Sequence, residues 1–174
     1  FKDHLGRPIV AVTGMGVITS LGQGLPDNWD ALTSGKSGIH YINRFDTEGM
    51  STRIAGTVDF IDIPAPNAVE RSYAMARETT IEALAQAGLS GDFNGPLFLA
   101  APPVEPEWAD RFALAERSPP SSHPGDAYER FLAAMRQKAD PVFLEAVQFG
   151  SISERLADRF GTRGLPVTLS TACA

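Results

Sequence analysis

An α/β protein, with a mixed and mainly parallel sheet covered by helices, is the architecture this sequence predicts. Three observations carry that expectation. Short apolar runs of strand length stand at residues 8–13, 97–101 and 166–170. Segments with apolar residues at helical spacing separate them, and glycines and prolines mark the junctions. Strand and helix in alternation is the pattern of a parallel sheet, because parallel neighbours need a crossover long enough to be a helix.

The first run, Pro8-Ile9-Val10-Ala11-Val12-Thr13, is bounded by Arg7 and Gly14 and predicts a strand buried on both faces. Gly14-Met15-Gly16 then turns the chain. A short helix is expected from Pro26 to Leu32, with proline suited to the first turn and Gly35 placed to end it in a left-handed conformation. From Glu70 to Ala87 alanine is abundant, Ala74, Ile81, Leu84 and Ala85 recur at helical spacing, and Gly88 closes the run, so a long helix is predicted. Leu97 to Ala101 is the second strand, and Pro102-Pro103-Val104-Glu105-Pro106 forbids regular structure after it. Helices follow from Trp108 to Arg117 and around Tyr128, Phe131, Leu132 and Met135. Ser151-Ile152-Ser153-Glu154 has capping-box spacing and opens an amphipathic helix through Leu156 and Phe160 that Gly161 can terminate. The third strand, Pro166 to Ser170, leads straight into Thr171-Ala172-Cys173-Ala174.

The composition narrows the function classes. The 174 residues carry a net charge of −6 and 43% hydrophobic residues, and no apolar run approaches the ~18 residues of a membrane helix. Neither a spanning protein nor a disordered one is expected. A single cysteine can form no internal disulfide and no thiolate cluster, which fits a reducing, cytoplasmic setting. No block of Lys or Arg suits nucleic acid or an anionic lipid surface. Phe1-Lys2-Asp3-His4 has no apolar segment behind it and reads as no secretory signal. Chemistry on a small or carrier-bound substrate is the class that remains.

Gly14-Met15-Gly16-Val17-Ile18-Thr19 after an apolar run invites comparison with a dinucleotide-binding turn. Thr19 stands where the third glycine belongs, no helix starts promptly, and no acidic residue closes a second strand about twenty residues on. A tight turn is the better reading.

Cys173 is the remaining chemical candidate. A cysteine after an apolar strand is more often a small buried hydrophobe than a nucleophile. At a junction between a strand end and a following helix, however, free backbone N–H groups would lower the thiol pKa from ~8.5 and stabilise a developing oxyanion. Ordered motifs decide between these readings. Val12-Thr13-Gly14-Met15-Gly16-Val17-Ile18-Thr19-Ser20-Leu21-Gly22, Trp29, Leu32, Gly35-Lys36-Ser37-Gly38-Ile39, Arg44-Phe45-Asp46 and Ile54-Ala55-Gly56 resemble the opening of the elongating β-ketoacyl-acyl-carrier-protein synthases. Phe160-Gly161, Gly164, Pro166 and Ser170-Thr171-Ala172-Cys173-Ala174 resemble the segment that carries that family's nucleophilic cysteine. The helical insertion before the cysteine resembles the elongating type more than thiolases or initiating ketosynthases, and the presence of Cys173 disfavours chain-length-factor relatives.

The resemblance implies the N-terminal half of a thiolase-like fold over residues 1–174, with the rest of the fold supplied by the remainder of its own polypeptide, and a homodimer as the family's expected state. It implies that Cys173 accepts an acyl group from a carrier-protein thioester and that malonyl-carrier protein then condenses with it by decarboxylation. Acyl carrier protein is the implied partner, and no cofactor or metal is expected. The family's two catalytic histidines lie in the C-terminal half; His4, His40 and His123 match neither and are expected at the surface.

One stretch departs from the family. A glycine-rich turn with a bulky pocket-floor residue usually follows the second strand, whereas prolines occupy this place here. Val104 or Pro103 is expected near the distal end of the acyl chain, the alternative being a divergent surface or interface loop. Glu105 and Glu107 are expected to solvate a surface. A half-fold also predicts exposed apolar residues, and a non-catalytic fragment that pairs with a carrier protein or a full-length partner is the rival reading.

Overall fold

The computed structural model describes residues 1–63, 67–90, 92–102, 106–117, 128–129, 132–133, 136, 144–145 and 147–170. Contacts gather into two compact units, Phe1–Ile63 with Ala74–Gly91 and Pro64–Tyr73 with Asp92–Ala174.

The first unit opens with a small loop. Asp3 accepts the N–H groups of Leu5 and Arg7, both at 2.9 Å, and a single bridge joins Lys2 to Pro8. The expected strand at 8–13 does not form, which corrects the sequence reading. Val10 is 90% exposed and Val12 80%, and among the described residues nothing pairs with the backbone from Val10 to Thr13. Apolar composition reports surface that a segment is able to bury. A strand also needs a neighbour for its N–H and C=O groups, and none among the described residues stands beside this run.

Two short antiparallel pairs follow. Strands β1 (Ile18–Thr19) and β2 (Gly22–Gln23) pair across Ser20-Leu21. Buried Asn28 pins this turn, donating to the carbonyls of Gly22 (3.0 Å) and Gly24 (2.8 Å) and accepting from the Thr19 hydroxyl (2.5 Å). Helix α1 (Leu25–Thr33) carries Pro26 in its first turn. Gly35 at φ 70 allows Lys36 N–H to return to the Ala31 carbonyl at 2.9 Å. Strands β3 (His40–Tyr41) and β4 (Ile54–Ala55) form the second pair.

Helix α2 (Ala68–Gln86) matches the predicted long helix, but its apolar positions do not all face inward. Ala74 is buried, whereas Ile81 is 42% exposed. Its residues up to Tyr73 group with the second unit and those from Ala74 with the first.

The second unit also holds β5 (Phe98–Ala100), α3 (Trp108–Arg117), α4 (Ser151–Phe160) and β6 (Val167–Leu169). β5 and β6 are parallel, with Phe98 opposite Val167, Leu99 opposite Thr168 and Ala100 opposite Leu169. This is the parallel pairing that the sequence predicts. Ile152, Leu156 and Phe160, spaced four apart on one face of α4, form the local core, with Leu156 at 1% exposure. Gly161 ends the helix in the left-handed region at φ 60, as expected. The capping box is not used: Gly150 occupies the N-cap without a side-chain cap, because the chain enters from a turn in which Ser151 N–H bonds the Gln148 carbonyl at 3.1 Å. The helix expected around Tyr128 falls mostly outside the described residues.

Candidate functional site

The ladder between β5 and β6 runs on by one bond, the Ala101 N–H to the Leu169 carbonyl at 3.0 Å. Two candidate segments therefore continue from the C-terminal ends of neighbouring parallel strands, the end at which open α/β sheets build their sites. One leads from Pro102 into Pro103 and Val104, the other from Ser170 toward Cys173. Cys173, Pro103 and Val104 themselves lie outside the described residues.

Among the described residues, α4 holds β6 through a pair of hydroxyls. Ser153, at 1% exposure, donates its hydroxyl proton to the Gly150 carbonyl at 2.9 Å and lies 2.6 Å from the Thr168 hydroxyl. A hydroxyl has one proton, so Thr168 is the donor in that second bond. Two residues further along α4, Arg155 grips Glu70 through two bonds of 2.8 and 2.9 Å, and its guanidinium lies 3.9 Å from the centre of the Tyr73 ring. The Arg155 hydrogen bonds hold the Glu70 carboxyl below its usual range, and Glu70 in turn raises the Arg155 pKa. Neither interaction was legible in advance, because each partner lies far away in sequence.

The glycine segment has a different job from phosphate binding. A Cβ on Gly14 would collide with the Ala83 carbonyl of α2, and one on Gly16 with the Thr79 carbonyl, so both glycines permit close approach to a helix backbone. Gln86 accepts the Met15 N–H at 2.6 Å; Glu82 accepts those of Val17 at 2.9 Å and Leu25 at 2.7 Å. Three backbone donors that a phosphate here could use are thereby taken, two of them by the Glu82 carboxylate, which reaches the first residue of α1. Thr79, Glu82, Ala83 and Gln86 share one helix face, and that spacing was the available signal for this role.

Other quoted motifs meet in the same unit. The Ser20 side chain fills the space where Gly38 and Gly56 would carry a Cβ, and Arg44 lies 3.8 Å from Asp59. His4 and His40 are exposed, as expected. His40 has partners nonetheless: Nδ1 lies 3.1 Å from the Gly38 carbonyl and Nε2 lies 2.6 Å from the Thr57 hydroxyl. His123 lies outside the described residues. Glu107 corrects its expected solvating role, because it accepts the Ala68 N–H at 2.6 Å. A depression of about 440 Å³ beside α1 is lined by Leu21, Asp27, Asp30, Ala31, Ser34 and Lys36 and contains none of the candidate residues. Among the described residues no group of His, Cys, Asp and Glu converges to hold a metal, and no helix is long and apolar enough to cross a membrane.

Comparison with known proteins decides the family. The family model described as "Beta-ketoacyl synthase, N-terminal domain" matches residues 8–98, just over half of the chain. The chain belongs to the β-ketoacyl synthase family. A relative from Streptomyces cyaneus, the "Putative polyketide beta-ketoacyl synthase 1", is 30% identical over 178 residues, covering 94% of this chain and 39% of its own length. The "3-oxoacyl-[acyl-carrier-protein] synthase 2" of Coxiella burnetii is 27% identical over 173 residues, covering 94% of this chain and 38% of its own. Among solved structures, "The ishigamide ketosynthase/chain length factor" aligns with a TM-score of 0.61 at 27% identity, over 94% of this chain and 40% of that one. The β-ketoacyl synthase chain thus spans about two-fifths of the length of these relatives. Its α/β class, read from strand and helix in alternation, and the thiolase-like fold that the resemblance implied both agree with the ketosynthase neighbour.

Proposed function

We propose that this chain is the N-terminal ketosynthase region, residues 1–174, of a β-ketoacyl-acyl-carrier-protein synthase acting in fatty acid, related lipid or polyketide elongation. The observation that carries the reading is the parallel β5–β6 pair, whose second strand runs directly into Ser170-Thr171-Ala172-Cys173-Ala174 in a member of this family.

Cys173 is the nucleophile. Its thiolate attacks the carbonyl of an acyl thioester, and the carrier's phosphopantetheine thiol leaves, giving an acyl-cysteine. Malonyl-carrier protein loses its carboxylate as carbon dioxide. The resulting carbanion attacks the acyl-cysteine carbonyl, forming the carbon–carbon bond and expelling the Cys173 thiolate. Histidines from the remainder of the polypeptide assist decarboxylation, and Val104 or Pro103 stands toward the far end of the acyl chain. The partners are acyl carrier protein and a second identical subunit in the cytoplasm, with substrates delivered as thioesters and no separate cofactor. The exposure of Val10, Val12 and Leu165, at 90%, 80% and 92%, supports a larger fold that covers them.

The test is alkylation and turnover of the full-length protein. Rapid iodoacetamide labelling of Cys173, blocked by acyl-carrier substrate and accompanied by carbon dioxide release from malonyl-carrier protein, is expected. Labelling at the rate of an ordinary free thiol, with no product, would overturn the reading and favour a non-catalytic fragment. For the pocket residues, Val104→Phe shifts the accepted acyl length, and an unchanged length profile would remove Val104 from the pocket. An intact mass of 18.6 kDa for the native material would defeat the proposal of a larger fold.

A further inference from the structure

We propose that the hydrogen bond between Ser153 and Thr168 is a register lock, and that the two are positioning residues which set where Cys173 stands. The inference rests on the reading of Cys173 as the nucleophile.

The ladder that carries the cysteine is short. β5 and β6 pair over three residues each, and the side chains on one face, Phe98, Val167 and Leu169, are 65%, 40% and 49% exposed. Among the described residues, apolar contact on that face therefore does little to distinguish one register from the next. The other face is different. Thr168 meets Ser153, which is itself fixed by the Gly150 carbonyl and by burial within the first turn of α4. Sliding β6 by one residue would bring Val167 or Leu169 to the Ser153 hydroxyl and leave a buried polar group without its partner. A single buried polar contact that disfavours the wrong registers is a well-attested use of such groups.

The lock is tied down from behind. Arg155, two residues from Ser153, is held by the paired bonds to Glu70 and by the Tyr73 ring, so α4 keeps its own rotation and depth. Thr168 stands five residues before Cys173. A one-residue slip moves a strand by ~3.3 Å, and a displacement on the order of 1 Å at a reacting group costs ~100-fold in rate. The hydroxyl pair thus acts on the chemistry through the strand, without touching substrate.

The test compares Thr168→Val, Thr168→Ser and Ser153→Ala in the full-length enzyme. Thr168→Val keeps the shape and removes the donor, and it lowers kcat by about tenfold or more while KM for the acyl-carrier substrate stays near the parent value. Thr168→Ser restores kcat; a merely structural role for the methyl would not be rescued this way. Ser153→Ala removes the acceptor from the opposite side, reproduces the loss of kcat, and carries the test where Thr168→Val folds poorly. Parent kcat in Thr168→Val, or failure of Thr168→Ser to restore it, would overturn the lock. A parent that forms no acyl-cysteine and no ketoacyl product would instead overturn the ketosynthase reading, so the two failures are distinct.

Discussion

The Glu82 carboxylate accepts the Leu25 N–H at 2.7 Å, joining the C-terminal part of a long helix to the first residue of a short one, and with its other oxygen accepts the Val17 N–H at 2.9 Å. One side chain thereby satisfies two backbone donors from residues eight apart. Glu82→Ala leaves both without their acceptor, each worth about 1–3 kcal/mol when partly buried. A loss of about 2–3 kcal/mol is expected in urea unfolding of the full-length protein. Glu82→Gln, which retains an acceptor oxygen, loses about half as much. Equal stability of Glu82→Ala and the parent would refute this role.

Two glycines respond to alanine for different reasons. At Gly16 the new methyl collides with the Thr79 carbonyl of α2, a backbone atom that cannot swing aside. Gly49 has open space around it and φ 79, so its cost is conformational alone, about 1–2 kcal/mol. Gly16→Ala is expected to cost more than Gly49→Ala, at the upper end of the 1–3 kcal/mol typical of overpacking, roughly. Thermal unfolding of the two variants side by side reads the order.

The Glu70–Arg155 pair makes stability depend on pH in a defined direction. The Glu70 carboxyl is lowered in the folded protein from an ordinary value of 4.5. A group lowered on folding stabilises above its unfolded pKa, and that contribution fades as pH falls through the lower folded value. The stability difference between the parent and Glu70→Gln is therefore expected near neutral pH and is lost in acid below 4.5. Both side chains are about one-third exposed, which limits the pair to about 1 kcal/mol. A difference that grows in acid would contradict the assignment.

Leu156 should be the costliest apolar truncation among the described residues. At 1% exposure it leaves a cavity on removal, and Leu156→Ala is expected to lose about 3 kcal/mol.

The sequence shows its helices better than its strands. Helices α1, α2 and α4 carry their own signals, because hydrogen bonds within a helix are local and Gly35, Gly88 and Gly161 mark the ends with positive φ. A strand is completed by a partner elsewhere. Leu97 to Ala101 and Pro166 to Ser170 find one another, while residues 10–13 of the first apolar run find none among the described residues. The polar fastenings escaped for a related reason. Glu82, Gln86 and Ser153 read as ordinary helix-surface residues until their distant partners are known, and nothing local in the sequence names Val17, Met15 or Thr168. The candidate nucleophile was legible only through a motif, which is chemistry read by resemblance.

The Ser20 side chain, wedged where Gly38 and Gly56 lack one, makes three positions share a single packet of volume. Neither glycine is free to gain a side chain alone. A methyl gained at either glycine must be matched by a retreat of the Ser20 side chain. Across any set of homologues the three should drift as a unit, and a library randomised at one of them should return few survivors unless the other two are opened with it.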